Sequence, residues 1–483
     1  SAGLPAAVQA LGQEITLIVP AYADALAGVD ELHEVAATQI SACGKQRNVR
    51  LWQGNADGIG CPLLLVEIAG LFDRPGNPYQ SADGTDWSDN GERFALFSQV
   101  VADVAMDRLG LHWQPDVVHC NDWQTGLVLA LLSHEADGGR ERPGTVFTIH
   151  NLSYGGHFPY SLFEGLGLPS AWWHFKGIEF YGAMSMLKGG IVFADHVTTV
   201  SPSYADEICT QDYGFGLHGA LQQRRQQKRL HGIVNGIDTQ VWNPQLDPFL
   251  PFNYSVQRGR VAQKKRNKLA LLKMFDEENA AMRLAFPLIG FVGRLVEQKG
   301  VDFMIEALPE LVESTDACFV IVGSGMPLFE QQLTVLARRF PKRIFVTIGY
   351  EEKLAHLVEG GIDMFLMPSR FEPCGLNQLY SLSYGTPPIV HRTGGLKDTV
   401  VDANETTLAD GSATGFVFDS PDSEALCRAV VRALSLYKRP RRWQALQKTG
   451  MLHDFGWQRS AQIYLELYHQ ATHKGDRYDN ALA

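Results

Sequence analysis

Short apolar, β-branched runs alternate with amphipathic stretches along most of the chain. The runs Ile15–Val19, Leu63–Ile68, Asp116–His119, Thr145–His150 and His196–Val200 have the length and composition of strands. After a break the rhythm resumes at Leu288–Val292, Ala317–Val322, Ile344–Ile348, Met364–Met367, Pro388–Val390 and Gly415–Phe418. Between these runs, Val301–Val312 and Leu376–Tyr384 carry apolar residues at helical spacing. Strands alternating with helices predict parallel sheets joined by right-handed crossovers. Two such series predict two doubly wound, Rossmann-like α/β domains. The join falls in the proline-marked stretch Pro244–Met282, giving an N-terminal domain over 1–245 and a C-terminal domain over 246–456. Ligands of open parallel sheets lie beyond the carboxyl ends of the strands, so two facing domains would hold a ligand in the cleft between them.

Composition narrows the class. A chain of 483 residues with 45% hydrophobic and 20% charged residues fits a globular protein of two domains. No run of about 18 apolar residues occurs, so no segment reads as a membrane-spanning helix. Nothing at the start reads as a signal peptide. The net charge of −11 argues against a nucleic-acid partner and is indifferent to a neutral polysaccharide. Two basic clusters, Arg224–Arg229 and Arg258–Lys268, read as solvated helix faces. Seven cysteines are scattered without a C-x-x-C pair, which favours a reducing, cytoplasmic setting over a disulfide framework or a zinc site.

Chemically capable residues cluster just after strands. Arg294 and Lys299 share the loop Gly293–Gly300 between a strand and a helix, a placement that suits a diphosphate, although an exposed basic loop has the same signature. Glu372, in Phe371-Glu372-Pro373-Cys374-Gly375-Leu376, stands at the mouth of a helix. It suits sugar hydroxyls or developing positive charge, or simply a helix cap. In Arg392-Thr393-Gly394-Gly395-Leu396 two glycines let backbone N–H groups approach phosphate oxygens, or make an ordinary turn. His150 ends an apolar strand, where it meets a sugar or is satisfied within its domain. Asp122 beside Trp123 suits a carbohydrate, which offers hydroxyls to a carboxylate and a face to a ring. Turn chemistry plus a core aromatic explains that pair equally. Gly214–Gly219 fits G-x-G-x-x-G, but it follows a helical stretch and not a strand, which argues against a dinucleotide site. No D-x-D triplet occurs, so no metal is expected and the diphosphate charge falls to Arg294 and Lys299.

Taken together, Asp73–Tyr79, Asp122-Trp123, His150-Asn151-Leu152, Val234–Asp238, Gly293–Gly300, Pro368–Leu376 and Arg392–Leu396 resemble, in order and spacing, the glycogen and starch synthase family. The resemblance covers nearly the whole chain. It implies a GT-B fold whose last helix, near Trp457–His473 within 457–483, crosses back to complete the first domain. It implies glucose transfer from ADP-glucose to the non-reducing end of an α-1,4-glucan (glycogen or a malto-oligosaccharide), with retention of configuration and no cofactor. By the same resemblance, Arg294 and Lys299 grip the diphosphate. Thr393, Gly394 and Gly395 bring backbone donors to donor oxygens. Glu372 binds the transferred glucose beside Cys374 and Gly375, and His150 lies near the reacting sugar. Asp122, Trp123 and Asn151 line the acceptor side, Asn235 sits at the hinge side, and Tyr350 packs on the nucleobase. The bacterial type of the resemblance favours ADP-glucose over UDP-glucose. One departure stands out. The family's first strand and its lysine–x–glycine–glycine–leucine loop have no counterpart, since Ser1–Pro5 resembles the helix after that loop; the first sheet is therefore expected to lack a central strand. The alternatives are another retaining nucleotide-sugar glucosyltransferase, or an inactive truncated glucan-binding homologue.

Overall fold

The apolar runs become strands in a computed structural model that describes residues 3–56, 58–81, 84–257 and 261–473. The chain divides into two compact units. One comprises the chain up to Val234 together with the segment beginning at Trp457, and the other is Asn235–Gly456. Residues 235–245 thus fold with the second unit. Trp242 explains why, because its ring lies between His356 and Tyr380, with centroids 3.8 Å away on each side.

In the first unit the strands are β1 (Leu17–Pro20), β2 (Asp30–Ala42), β3 (Lys45–Asn55), β4 (Leu63–Ile68), β5 (Val117–Asn121), β6 (Gly144–Ile149), β7 (His157–Pro159), β8 (Glu179–Phe180), β9 (Ala183–Ser185), β10 (His196–Thr199) and β11 (Leu230–Gly232). They do not make one parallel sheet. One sheet has the order β1-β4-β3-β2, with β3 antiparallel to both neighbours, and a second, all parallel, has the order β11-β10-β6-β5. Among the described residues β1 and β5 each stand at the edge of a sheet. A small antiparallel ribbon, β7-β9-β8, projects from the segment after β6. The closing helix, Gln458–Thr472, packs on β5 and β6 and buries Tyr464, Leu467 and Ala471.

The second unit has β12 (Leu288–Val292), β13 (Cys318–Gly323), β14 (Ile344–Ile348), β15 (Met364–Met367), β16 (Pro388–His391) and β17 (Phe416–Phe418). They form one parallel sheet in the order β14-β13-β12-β15-β16-β17. Alternate side chains enter cores on opposite faces: Ile289 and Phe291 on one, Leu288 and Val292 on the other. That double burial is why these strands read as continuous apolar runs. The helix Val301–Ser314 turns Val301, Met304, Leu308 and Leu311 inward at helical spacing. The strand order reverses between β12 and β15, and ligands of doubly wound sheets bind at such a switch point.

The basic clusters are only partly solvated: Arg225, Lys228, Lys265 and Arg266 are exposed, but other members are buried. Arg224 is buried, with its Nε on the Ile191 carbonyl at 2.7 Å. Lys264 is buried too, its Nζ reaching Thr386 Oγ1 at 2.6 Å and the Glu359 carbonyl at 2.7 Å. Lys268 pairs with Asp363 at 2.7 Å. These cations satisfy carbonyls that helix and strand ends leave over. Arg258 and Arg260 lie outside the described residues. All seven cysteines are unpaired. Among the described residues no helix is long and apolar enough to cross a membrane.

Candidate active site

In the second unit the loops after β12 and β15 meet at the switch point. Gly300, with φ +67°, starts the helix Val301–Ser314, and a Cβ there would lie 2.1 Å from the Pro368 carbonyl oxygen. Only a glycine lets the two loops come this close. Their side chains then pair: Lys299 Nζ donates to Glu372 Oε2 at 2.5 Å, and Ser369 Oγ donates to the same oxygen at 3.0 Å. Glu372 is buried, while Arg294 is exposed and reaches Gln298 Oε1 at 3.5 Å. Asn377 ties the start of the next helix to β12 through the Val292 carbonyl at 2.7 Å.

Two cavities open here and share Val292, Gly293, Arg294, Leu376 and Asn377. The larger, about 390 Å³, is walled by Trp242, Tyr350 and Tyr380, with Ser324 and Glu359 also in its lining. The smaller, about 230 Å³, is lined by Lys299, Ser369, Glu372 and Gly375. Arg294 borders both, so one cation stands where a flat aromatic chamber passes into a small polar one. Burial raises the Tyr380 phenol to about 12, so it stays a neutral hydrogen-bonding group at physiological pH.

After β16, Gly395 serves the packing of two loops. Gly395 donates its N–H to the Glu372 carbonyl at 3.0 Å, and Thr393 donates its own to His391 at 3.0 Å. A Cβ on Gly395 would sit 2.1 Å from the Cys374 carbonyl oxygen. The glycine therefore lets two loops pack, and these two amides are spent inside the protein instead of being offered to a ligand. Cys374 is buried behind the smaller cavity, its thiol pushed up to about 12 by burial, and the Asn235 backbone is hydrogen-bonded to it. Of the donor-side residues singled out above, Arg294, Lys299, Glu372, Gly375 and Tyr350 line the cavities, whereas Asn235, Cys374, Thr393, Gly394 and Gly395 are not among the lining residues. Sequence reasoning missed Trp242, Ser324, Glu359, Asn377 and Tyr380. Asn377 and Tyr380 carried a signal, since both follow the glutamate motif within the next helix.

In the first unit, Asp122 directly follows β5 with φ +56° and ψ −178°, a conformation that glycine favours and that costs roughly 1–3 kcal/mol elsewhere. Its carboxylate accepts the His150 N–H at 2.8 Å, and His150 Nε2 meets Asn121 Oδ1 at 2.9 Å. The ends of β5 and β6 are thereby locked together. Burial raises the Asp122 carboxyl and lowers the His150 imidazole; the attraction between the two opposes both shifts. Asn151 Oδ1 accepts from Ser153 Oγ at 2.8 Å. Trp123 is held edge-on by Phe94 and set against Phe158. Gly156 leaves room for its ring, since a Cβ there would come within 2.6 Å.

Comparison with known proteins agrees with this architecture. The starch synthase catalytic domain family matches residues 1–223, and the group 1 glycosyl transferases match residues 275–448. A glycogen synthase of Hydrogenovibrio crunogenus is 57% identical over 97% of this chain and 95% of its own. Glycogen synthase 1 of Methylococcus capsulatus is 48% identical over 98% and 92%. Among solved structures, the catalytic domain of Arabidopsis thaliana starch synthase IV, bound to ADP and acarbose, superposes with a TM-score of 0.87 at 32% identity. That match covers 97% of this chain and 94% of the other. The α/β architecture is the GT-B fold, and the chain belongs to the glycogen and starch synthase family of glycosyltransferases.

Proposed function

We propose that the protein transfers glucose from ADP-glucose to the non-reducing end of an α-1,4-glucan, with retention at the anomeric carbon. The observation that carries this reading is Arg294 between the two cavities, with Lys299 and Glu372 in the smaller one. A nucleoside suits the chamber of Trp242, Tyr350 and Tyr380, its diphosphate suits Arg294, and its glucose suits the chamber of Glu372. The ADP in the starch synthase IV structure supports an adenine donor, and its acarbose supports a glucan acceptor.

Breaking the bond from glucose C1 to the diphosphate puts positive charge on the sugar and negative charge on the leaving group. Arg294 and Lys299 oppose the negative charge, each supplying about 3 kcal/mol if placed as preorganised donors usually are. Glu372, held by Lys299 and Ser369, lies on the sugar side. Front-face attack, in which the departing phosphate takes the acceptor proton, needs no second carboxylate. His150 next to the reacting glucose, and Asp122, Trp123 and Asn151 on the acceptor, complete the reading.

The test is to incubate the protein with maltotriose and either ADP-glucose or UDP-glucose. Maltotetraose and longer α-1,4 products are expected, formed faster from ADP-glucose. A single product that never lengthens would point to a small-acceptor transferase, and no turnover of either donor would sink the reading.

A further inference from the structure

Glu359 brings a carboxyl group to the wall of the larger cavity. The helix Glu352–Gly361 carries it there. Leu354, Leu357 and Val358 of that helix enter the core, while Ala355, one turn before Glu359, shares its face and lines the cavity with it. Glu359 is only 2% exposed, and its Oε2 meets no hydrogen-bond partner among the described residues. The neighbouring cation, Lys264, donates to the Glu359 backbone carbonyl at 2.7 Å and to Thr386 Oγ1 at 2.6 Å. Burial raises the Glu359 carboxyl well above its ordinary range, against the attraction of Lys264, so the group keeps its proton near neutral pH. Burial likewise brings Lys264 down to about 7.

A buried polar group without a partner costs stability, and in a native protein it marks a ligand or a chemical role. The acid itself defines the ligand. A protonated carboxyl presents an O–H donor beside a carbonyl acceptor. Its complement is a ring nitrogen that accepts beside an exocyclic amino group that donates. Adenine carries that pair at N7 and its 6-amino group, and again at N1 and the same amino group. The rest of the wall suits a flat base, since Tyr350, Trp242 and Tyr380 supply aromatic surface.

We propose that Glu359 recognises the adenine of the donor, accepting from its amino group and donating to the ring nitrogen beside it. The proposal rests on the ADP-glucose reading above and adds to it a specificity-determining residue. A base with no amino group at that place leaves the acid half paired, which is how a polar pocket rejects an analogue that lacks one group.

The test is calorimetric titration of the full chain with ADP and with purine riboside 5′-diphosphate, which is ADP without the amino group. The wild type should bind ADP about 10-fold more tightly than the analogue, as expected for one or two hydrogen bonds. In Glu359→Met, apolar and of similar length, ADP should weaken about 10-fold while the analogue changes by less than about threefold, so the preference for the amino group disappears. Glu359→Gln puts an amide N–H where the acid has its O–H and should keep ADP within about threefold of the wild type. The Tm of Glu359→Met should stay level or rise, because an unpartnered buried polar group has been removed. Unchanged ADP affinity in Glu359→Met would overturn the proposal. So would equal losses for ADP and the analogue accompanied by a lower Tm, the mark of a structural role. A wild type that lengthens maltotriose but does not prefer ADP over the analogue sinks the contact and leaves the functional reading standing. The expected binding pattern in a protein that transfers glucose from no donor does the reverse.

Discussion

Lys299 donates to Glu372 across 2.5 Å, so replacing it removes a cation and loosens a buried carboxylate together. Lys299→Ala should lower kcat about 100- to 1,000-fold, the loss typical of one preorganised charge-stabilising donor. The KM for maltotriose should stay within about twofold, and steady-state kinetics with each substrate varied will show whether the effect sits on the donor side. A second residue-scale prediction concerns pH. His196 is buried at the start of β10, against His231 at 3.2 Å. Burial, then the charges of His231 and Arg229, hold its imidazole down to about 4, with Asp195 opposing. An unfolded histidine takes its proton near 6.5. Between about pH 6.5 and 4 the unfolded chain therefore binds more protons than the folded one. Stability should fall as the pH falls, by ~1.4 kcal/mol per pH unit from this residue. Urea midpoints at pH 7, 6 and 5 measure the slope, and His196→Asn should flatten it.

Elements in this protein meet through glycines and buried polar groups. The helices Gly126–Asp137 and Met186–Phe193 approach so closely that a Cβ on Gly126 would lie 1.9 Å from the Met186 carbonyl oxygen. Gly126→Ala should destabilise the first unit by about 1–3 kcal/mol, the usual cost of overpacking, read as a shift in urea midpoint at constant slope. In the second unit Asp247 accepts from Tyr384 at 2.6 Å, meets His356 Nδ1 at 2.9 Å and accepts from the Phe249 N–H at 2.8 Å. Asp247→Ala strands those partners and should cost about 3 kcal/mol in the same measurement. How legible each element was follows from its burial. The strands β12, β13, β15, β16 and β17 were readable because both faces are covered, which makes each an apolar run. The hairpin of β2 and β3 was missed because it is largely exposed, mixes polar with apolar residues and carries register shifts. Arg294, Lys299 and Glu372 were singled out because they lie in loops that follow strands, and the fold places them in the lining of the two cavities. Trp242 was passed over as part of a join, since its partners His356 and Tyr380 come from far along the chain and only the fold reveals them. Gly395 was ambiguous in the sequence because a close approach of two loops leaves the same mark as a close approach to a phosphate.

At the scale of the whole molecule, the chain begins and ends in the same unit. Trp457 precedes the closing helix, and its ring lies where a Cβ on Gly3 would come within 2.1 Å. His119 on β5 bonds Tyr468 of that helix at 2.7 Å, and Ser460 reaches the Val234 carbonyl at 2.5 Å. Tyr464→Ala empties a fully buried site and should destabilise the first unit by about 3–5 kcal/mol. Because the aromatic chamber and Arg294 belong to the second unit, ADP affinity measured calorimetrically should change little, while the first unit melts earlier. The second unit, in effect, is a long insertion within the first. Domains usually finish folding in the order in which they are synthesised. Here the ribosome must release the last helix before the first-made half can be completed, so the half made later should mature sooner. A nascent chain stalled just after Gly456 has emerged should already resist protease across its second unit while its first remains open to cleavage.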